Sequence, residues 1–262
     1  MKKFISNKFV LFFLGTIFVI LLWFLISLIF DTNGGIFPSP ILTFEKFFEL
    51  LVTPYTYTCL GYTLLRMLAG FFFSFIFALV IGVIAGNNTS IYQFLKPLMV
   101  TIKSIPTVAL VFLFIVVVAP KYAPILVVSL ICFPILYESV VGGIKNVEKD
   151  LIEASKVDGA TYFKGVWYIK LPLAIPYIIV GIVSSFALSF KIEIMAEVMT
   201  GYTKNGLGSV IQYEQKTDPS NMETIFAYAL FAVIIMLLVT LLEEIVKQLT
   251  KKHNIVMLKN NW

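Results

Sequence analysis

Residues 145–172 read KNVEKDLIEASKVDGATYFKGVWYIKLP, with five lysines and four acids, Glu148, Asp150, Glu153 and Asp158, set between two long apolar runs. A membrane span needs about 20 apolar residues, at roughly 1.5 Å rise each, to cross a hydrocarbon core of roughly 30 Å. The flanking runs, about 123 to 144 and 173 to 199, meet that length. The polar stretch between them is therefore either an ordered element outside the bilayer or a loose linker. Its residues favour order. Asp150 offers an N-cap with Glu153 three residues on, and Leu151, Ile152, Ala154, Ser155 and Val157 follow at helical spacing. Gly159 permits a helix end or a close backbone approach, Thr161 caps a second helix through Lys170, and Leu171-Pro172 stops it before the next span.

Working outward, the same apolar character fills the chain. Of 262 residues 59% are hydrophobic and only 13% charged, with a mean hydropathy of +0.94, against about 25% charged for a soluble domain. Six segments qualify as spans, at about 9 to 30, 64 to 86, 104 to 119, 123 to 144, 173 to 199 and 224 to 246. The predicted class is an all-α polytopic membrane protein with about six transmembrane helices. The first run, Phe9 to Phe30, is 22 residues without a charge. That is longer than the roughly 7 to 15 of a signal-peptide core, so it reads as a retained span. With the N-terminus inside, 14 of the 20 basic residues fall on the inner flanks, including Lys145, Lys149, Lys156, Lys164 and Lys170. Inner flanks collect Lys and Arg, so both termini and the 145–172 loop are expected in the cytoplasm of a bacterial inner-membrane protein.

Two outer connections follow from this topology. Ile41, Leu42, Phe44, Phe47, Phe48 and Leu51 recur at helical spacing opposite Glu45, Lys46 and Glu49, predicting an interfacial helix on the outer leaflet. Residues 1–60, the first span and this helix, are read as an N-terminal unit, and residues 61–262 as the core. The outer loop from Gly201 to Glu223 holds Asn205-Gly206-Leu207-Gly208, which reads as a turn rather than a phosphate cradle.

Several function classes are excluded or weakened. The charge of +5 sits beside apolar runs rather than in arrays suited to phosphates, so nucleic acid is not an expected partner. Cys59 and Cys132 lie in apolar segments without CxxC spacing, and the single histidine, His253, lies in a polar tail, which removes the usual metal and triad constellations. An intramembrane enzyme would need a nucleophile with a base, a metal cluster or a basic phosphate site, and none is visible. A channel or secondary transporter stays open, because Lys191, Glu193 and Glu197 lie in the outer part of the fifth span, where ionisable residues are candidates for a translocation path. At 100° per residue Glu193 and Glu197 share one stripe, while Lys191 points roughly 120° to 200° away. Lys191 therefore either faces a pathway for an anionic solute, snorkels to the outer interface, or pairs with an acid on another helix.

The run Glu153-Ala154-Ser155, three residues, Gly159, nine residues, Ile169, one residue, Leu171-Pro172 resembles the EAA loop of binding-protein-dependent ABC importer permeases, with Ser155 where the second alanine usually sits. The resemblance extends to Arg66 and Gly70 in the second span, Ile105-Pro106 before the third, Phe133-Pro134-Ile135 in the fourth, and Ala196-Glu197 with Gly206-Leu207-Gly208 after the fifth. It is similar to the branch that carries nitrate, sulfonates, taurine and some thiamine precursors. The resemblance implies a subunit that performs no chemistry itself. It implies a second permease copy, a dimer of cytoplasmic ABC ATPase subunits holding ATP and Mg, and an extracytoplasmic substrate-binding protein. It also makes the loop a coupling helix whose Glu153, Ala154, Ser155, Gly159, Ile169, Leu171 and Pro172 dock on the ATPase. No GxxxxGK[ST] phosphate loop occurs in the chain, so the ATPase would be a separate polypeptide.

Overall fold

The structure, a computed structural model, describes residues 8–31, 37–157, 161–201 and 205–259. Regular structure among them is entirely helical. In chain order the helices are α1 (Lys8–Asp31), α2 (Pro40–Val52), α3 (Pro54–Asn87), α4 (Thr89–Ser104), α5 (Thr107–Val117), α6 (Ala123–Lys145), α7 (Lys149–Val157), α8 (Tyr162–Gly165), α9 (Leu171–Thr200), α10 (Leu207–Thr217) and α11 (Met222–Lys259), with a π-helical turn at Val166–Lys170 joining α8 to α9.

The centre of the bundle is α6, packed between α3 and α9. Small residues make the close approach possible. Gly70, Ser74, Ala78 and Gly82 recur every four residues on the buried stripe of α3, the kind of seam that lets helix backbones meet in lipid, where packing rather than water exclusion drives association. Against it lie Val127, Val128, Cys132, Leu136, Tyr137 and Val141 of α6. A second core joins Phe47 and Leu50 of α2, Cys59 and Met67 of α3, Phe190 of α9, Leu207 and Val210 of α10, and Ala227, Tyr228 and Phe231 of α11. Large apolar side chains such as Phe72, Phe73, Ile76 and Phe77 on α3 and Leu237, Leu238, Leu241 and Leu242 on α11 point outward. An exposed apolar area on that scale suits a surface solvated by lipid tails.

Helices long and apolar enough to cross a membrane are α3, α6, the continuous Tyr162–Thr200 rod and Met222–Thr250. The 24-residue α1 also reaches about 36 Å, and Trp23 fixes it to the bundle through a 3.1 Å hydrogen bond to the Pro38 carbonyl and ring contacts with Phe44 and Phe226. The third expected span needs correction. At Ile105-Pro106 the backbone is extended, because a residue before proline avoids the helical region. The axis bends by 95° there, and α5 runs for only 11 residues, or about 16 Å. The apolar run that suggested a full span is thus the second half of a bent pair whose first half, α4, is amphipathic.

Other boundaries moved too. The second span begins at Pro54 rather than near residue 64, since Thr56, Cys59 and Thr63 continue its buried stripe. A division at residue 60 accordingly falls inside α3. The segment after Thr200 expected as an outer loop holds a helix, α10, whose first turn is buried. A helix is present over the expected segment as α2, but its buried face is Pro40, Thr43, Phe47 and Leu50, which pack on the bundle, while Ile41, Leu42 and Phe48 of the expected apolar stripe are exposed.

Candidate functional site

One end of the bundle carries the polar loop. Its first part is α7, which starts at Lys149, so Asp150 occupies the first turn rather than the cap. Glu153 and Ala154 are exposed on this helix, which also contains Ser155, while Gly159 lies outside the described residues. Thr161 sits at the N-cap of α8 with extended backbone and makes no side-chain capping bond. Ile169 and Leu171 are half-buried and Pro172 is exposed.

Leu171-Pro172 does not stop the second loop helix, contrary to the sequence reading. The Leu171 N–H instead reaches back five residues to the Val166 carbonyl. Widening the turn relieves the clash between the proline ring and the carbonyl four residues earlier and tolerates the missing N–H, so the helix passes through. The loop's second half is therefore continuous with α9. Lys170 binds the Asn87 side chain at 2.6 Å, tying this junction to the end of α3. Nearby, Lys103 pairs with Glu138 across α4 and α6, and Lys145 lies over the Tyr92 ring. The surface of the loop is unusually apolar for a polar segment: Leu151, Val157, Tyr162, Phe163, Trp167 and Tyr168 are all exposed.

The far end holds a buried charge network. Glu197 of α9 is 1% exposed and pairs with Arg66 of α3, 15% exposed, at 2.7 Å. The same carboxylate accepts from the Thr63 hydroxyl at 2.8 Å and the Gly208 N–H at 3.0 Å. Thr63 in turn accepts the Leu207 N–H at 2.9 Å, and Arg66 donates to the Asn205 carbonyl at 2.8 Å. The glycines make this wrapping possible. Gly206 has φ +151°, and a Cβ there would lie 2.5–2.8 Å from the Glu197 carboxylate, while one on Gly208 would lie 2.8 Å from the Glu197 Cβ. The start of α10 thus holds an anion directly through the Gly208 N–H and indirectly through Leu207 and Thr63, in the manner of helix N-termini. The anion is the chain's own Glu197.

Of the three ionisable residues expected along a path, the structure places two inside the bundle and one on its surface. Lys191 is exposed on α9, whereas Glu193 and Glu197 are fully or nearly fully buried. Among the described residues neither Glu193 carboxylate oxygen has a hydrogen-bond partner. Sequence reasoning missed that Arg66, Thr63 and Asn205 complete the Glu197 site. The available signal was an arginine inside one span and a glutamate inside another, which must find partners within the bundle.

A bundle of helices with large outward apolar surfaces, a polar loop whose second part runs on into one span and a buried charge clamp at the other end is the build of a membrane transport subunit. Residues 78–252 match the binding-protein-dependent transport system inner membrane component family, and the chain belongs to it. It is similar to a protein named as an aliphatic sulfonates transport permease, SsuC of Bacillus subtilis, at 25% identity over 78% of this chain and 73% of that one. The taurine transport system permease protein TauC of Escherichia coli is 24% identical over 74% of this chain and 70% of its own length. Among solved structures, the chain has the fold of a subunit of the MetNI methionine ABC transporter, with a TM-score of 0.62 at 20% identity, covering 75% of this chain and 95% of that one. Its function is that of the translocation subunit of an ABC importer.

Proposed function

We propose that this subunit pairs with a second copy of itself on two cytoplasmic ATPase subunits, which hold ATP and Mg, and receives a small anionic solute from an extracytoplasmic binding protein. Both termini and the 145–172 loop face the cytoplasm of a bacterial inner membrane, as the distribution of lysines favours. ATP hydrolysis belongs to the partner. The observation that supports this reading is the exposed apolar surface of the loop, whose part from Tyr162 onward is continuous with α9. Leu151, Val157, Phe163 and Trp167 need a cover, and a groove on an ATPase supplies one. Glu153 would pair with a basic group there, Ala154 and Ser155 would allow close approach, Gly159 would make the bend, and Ile169, Leu171 and Pro172 would pass the displacement into α9.

Lys191 faces the pathway in this reading, and Glu193 and Glu197 bear on it from within the protomer. An exposed cation on a span attracts an anion, which agrees with the sulfonate and taurine carriers among the relatives. Purification of the tagged subunit with its ATPase tests the coupling role. Glu153→Lys should insert normally yet lose the ATPase, because the reversed charge leaves a partner charge buried and unpaired. Retention of the ATPase by this variant would remove the loop from the coupling mechanism.

A further inference from the structure

Glu193 lies one turn along α9 from Glu197, on the same stripe. Its side chain is fully buried, and both oxygens lack a hydrogen-bond partner among the described residues. The nearest polar side chains on its own helix are Glu197 and Ser189, and the Ser189 hydroxyl is committed to the Phe186 carbonyl. An orphaned carboxyl in a transmembrane core is expensive, so its presence points to an arrangement in which it is used. Glu193 lies within electrostatic reach of both Glu197 and Arg66.

We propose that Glu193 is the second seat of Arg66. When the far end opens, the guanidinium leaves Glu197 and the Asn205 carbonyl, moves one helical turn along α9, and pairs with Glu193. This rests on the reading of the chain as a transport subunit whose far end opens and closes. One turn is about 5.4 Å, within the swing of an arginine side chain while α3 stays in place. The exchange leaves neither carboxylate stranded. Glu197, beside the opening mouth, keeps the Thr63 hydroxyl and gains water, and Glu193 gains the charge that it lacks in the closed arrangement. Because Arg66 also holds the Asn205 carbonyl, its departure unlatches the segment leading into α10. Glu193 acts here through Arg66 and is a positioning residue.

The test uses Asn205→Cys in a full-length chain lacking Cys59 and Cys132, in sealed vesicles with the far end outside. The rate of labelling by an impermeant maleimide reports opening. Glu193→Leu removes the second seat without leaving a polar group, so labelling should slow by at least about fivefold. The thermal midpoint of the solubilised protein should hold or rise. Glu193→Asp should label within about twofold of the parent, since a carboxylate remains for Arg66. Labelling of the Leu variant at the parental rate, or a lowered midpoint in that variant, overturns the proposal; the second result would make Glu193 an ordinary packing residue. Whether ATP and vanadate alter parental labelling in the ATPase complex is measured separately. A lack of response there would count against the importer reading and leave the comparison at Glu193 intact.

Discussion

Breaking the Arg66–Glu197 pair should destabilise the protein more than removing any neutral hydrogen bond in the bundle. At an effective dielectric of about 20, opposite charges about 4 Å apart attract by roughly 4 kcal/mol. Removing one partner of a buried pair costs about 3–5 kcal/mol, mostly because the other charge is left without compensation. Both side chains are shielded enough for these figures to apply, with 15% exposure for Arg66 and 1% for Glu197. Glu197→Gln has nearly the shape of the native residue but turns one accepting oxygen into a donor. The new amide must then face either the Arg66 guanidinium or the Gly208 N–H, both of which donate. Interhelical hydrogen bonds between neutral groups in membranes average only about 0.6 kcal/mol. Thr63→Val loses the bond to Glu197 and strands the Leu207 N–H, so it should cost roughly 1–2 kcal/mol.

The assay is the thermal midpoint of the detergent-solubilised protein, measured for Arg66→Met, Glu197→Gln, the double variant and Thr63→Val. With roughly 2–4 °C per kcal/mol for a chain of this size, each charge variant should fall by about 10 °C and Thr63→Val by about 4 °C. The double variant should fall no further than either single one, because removing both charges leaves neither stranded. Additive losses, or single losses under about 2 °C, would refute the claim that this pair holds the α10 segment in place.

Lys191→Met should lower solute uptake in reconstituted vesicles without reducing the amount of assembled complex, and Lys191→Arg should retain more uptake than Met, because the position needs a cation. Loss of the complex itself would reassign Lys191 to a structural pair. Topology is checked with single cysteines at Lys164 and Lys216, both exposed, in the background lacking the buried Cys59 and Cys132. An impermeant thiol reagent on spheroplasts should label position 216 and spare 164, and the reverse pattern would invert the orientation.

The class of fold was legible because it rests on length and polarity. Runs of about twenty apolar residues are strong signals, and α1, α3, α6, α9 and α11 each contain one of the expected runs. The failure at Ile105-Pro106 has a local cause. Hydropathy averages over a window and does not register the single backbone angle at which a proline turns the axis by 95°. The motif of the 145–172 loop was legible as residue types at fixed spacing, which is local information. The charge network was not, although Arg66, Glu197 and Asn205 to Gly208 were each singled out; Thr63 was not. Arg66 and Glu197 are 131 positions apart, and only the antiparallel packing of α3 against α9 decides that they meet. The Asn205-Gly206-Leu207-Gly208 segment was read as a turn because two glycines say nothing about what they wrap. Its target, the Glu197 carboxylate, appears only in three dimensions.

The continuity of the loop with α9 can be broken by one substitution. From Tyr162 to Thr200 the chain is one 39-residue helical rod, with the exposed loop aromatics at one end and Glu197 in its last turn at the other. A push on the first end reaches the second only if the intervening turn is stiff. The π-turn at Val166–Lys170 holds one extra residue within that rod, and Pro172 favours the widening because its ring would strike the carbonyl of Tyr168 in a regular helix. Pro172→Ala restores the N–H and removes the ring, so the segment can relax to regular α-helix. Shedding one residue from the turn rotates Tyr162, Phe163 and Trp167 by about 100° around the rod axis relative to Glu197. The helix gains a hydrogen bond and loses a strained turn, so insertion and thermal midpoint should be unchanged or slightly raised. The surface proposed to dock on the ATPase, however, would point elsewhere, and ATPase-driven uptake should fall by at least about tenfold if misalignment costs 1.4 kcal/mol or more of docking energy. Parental uptake by Pro172→Ala would show that the loop transmits nothing through this turn. A fall in uptake accompanied by a lower midpoint would make the proline a folding determinant instead.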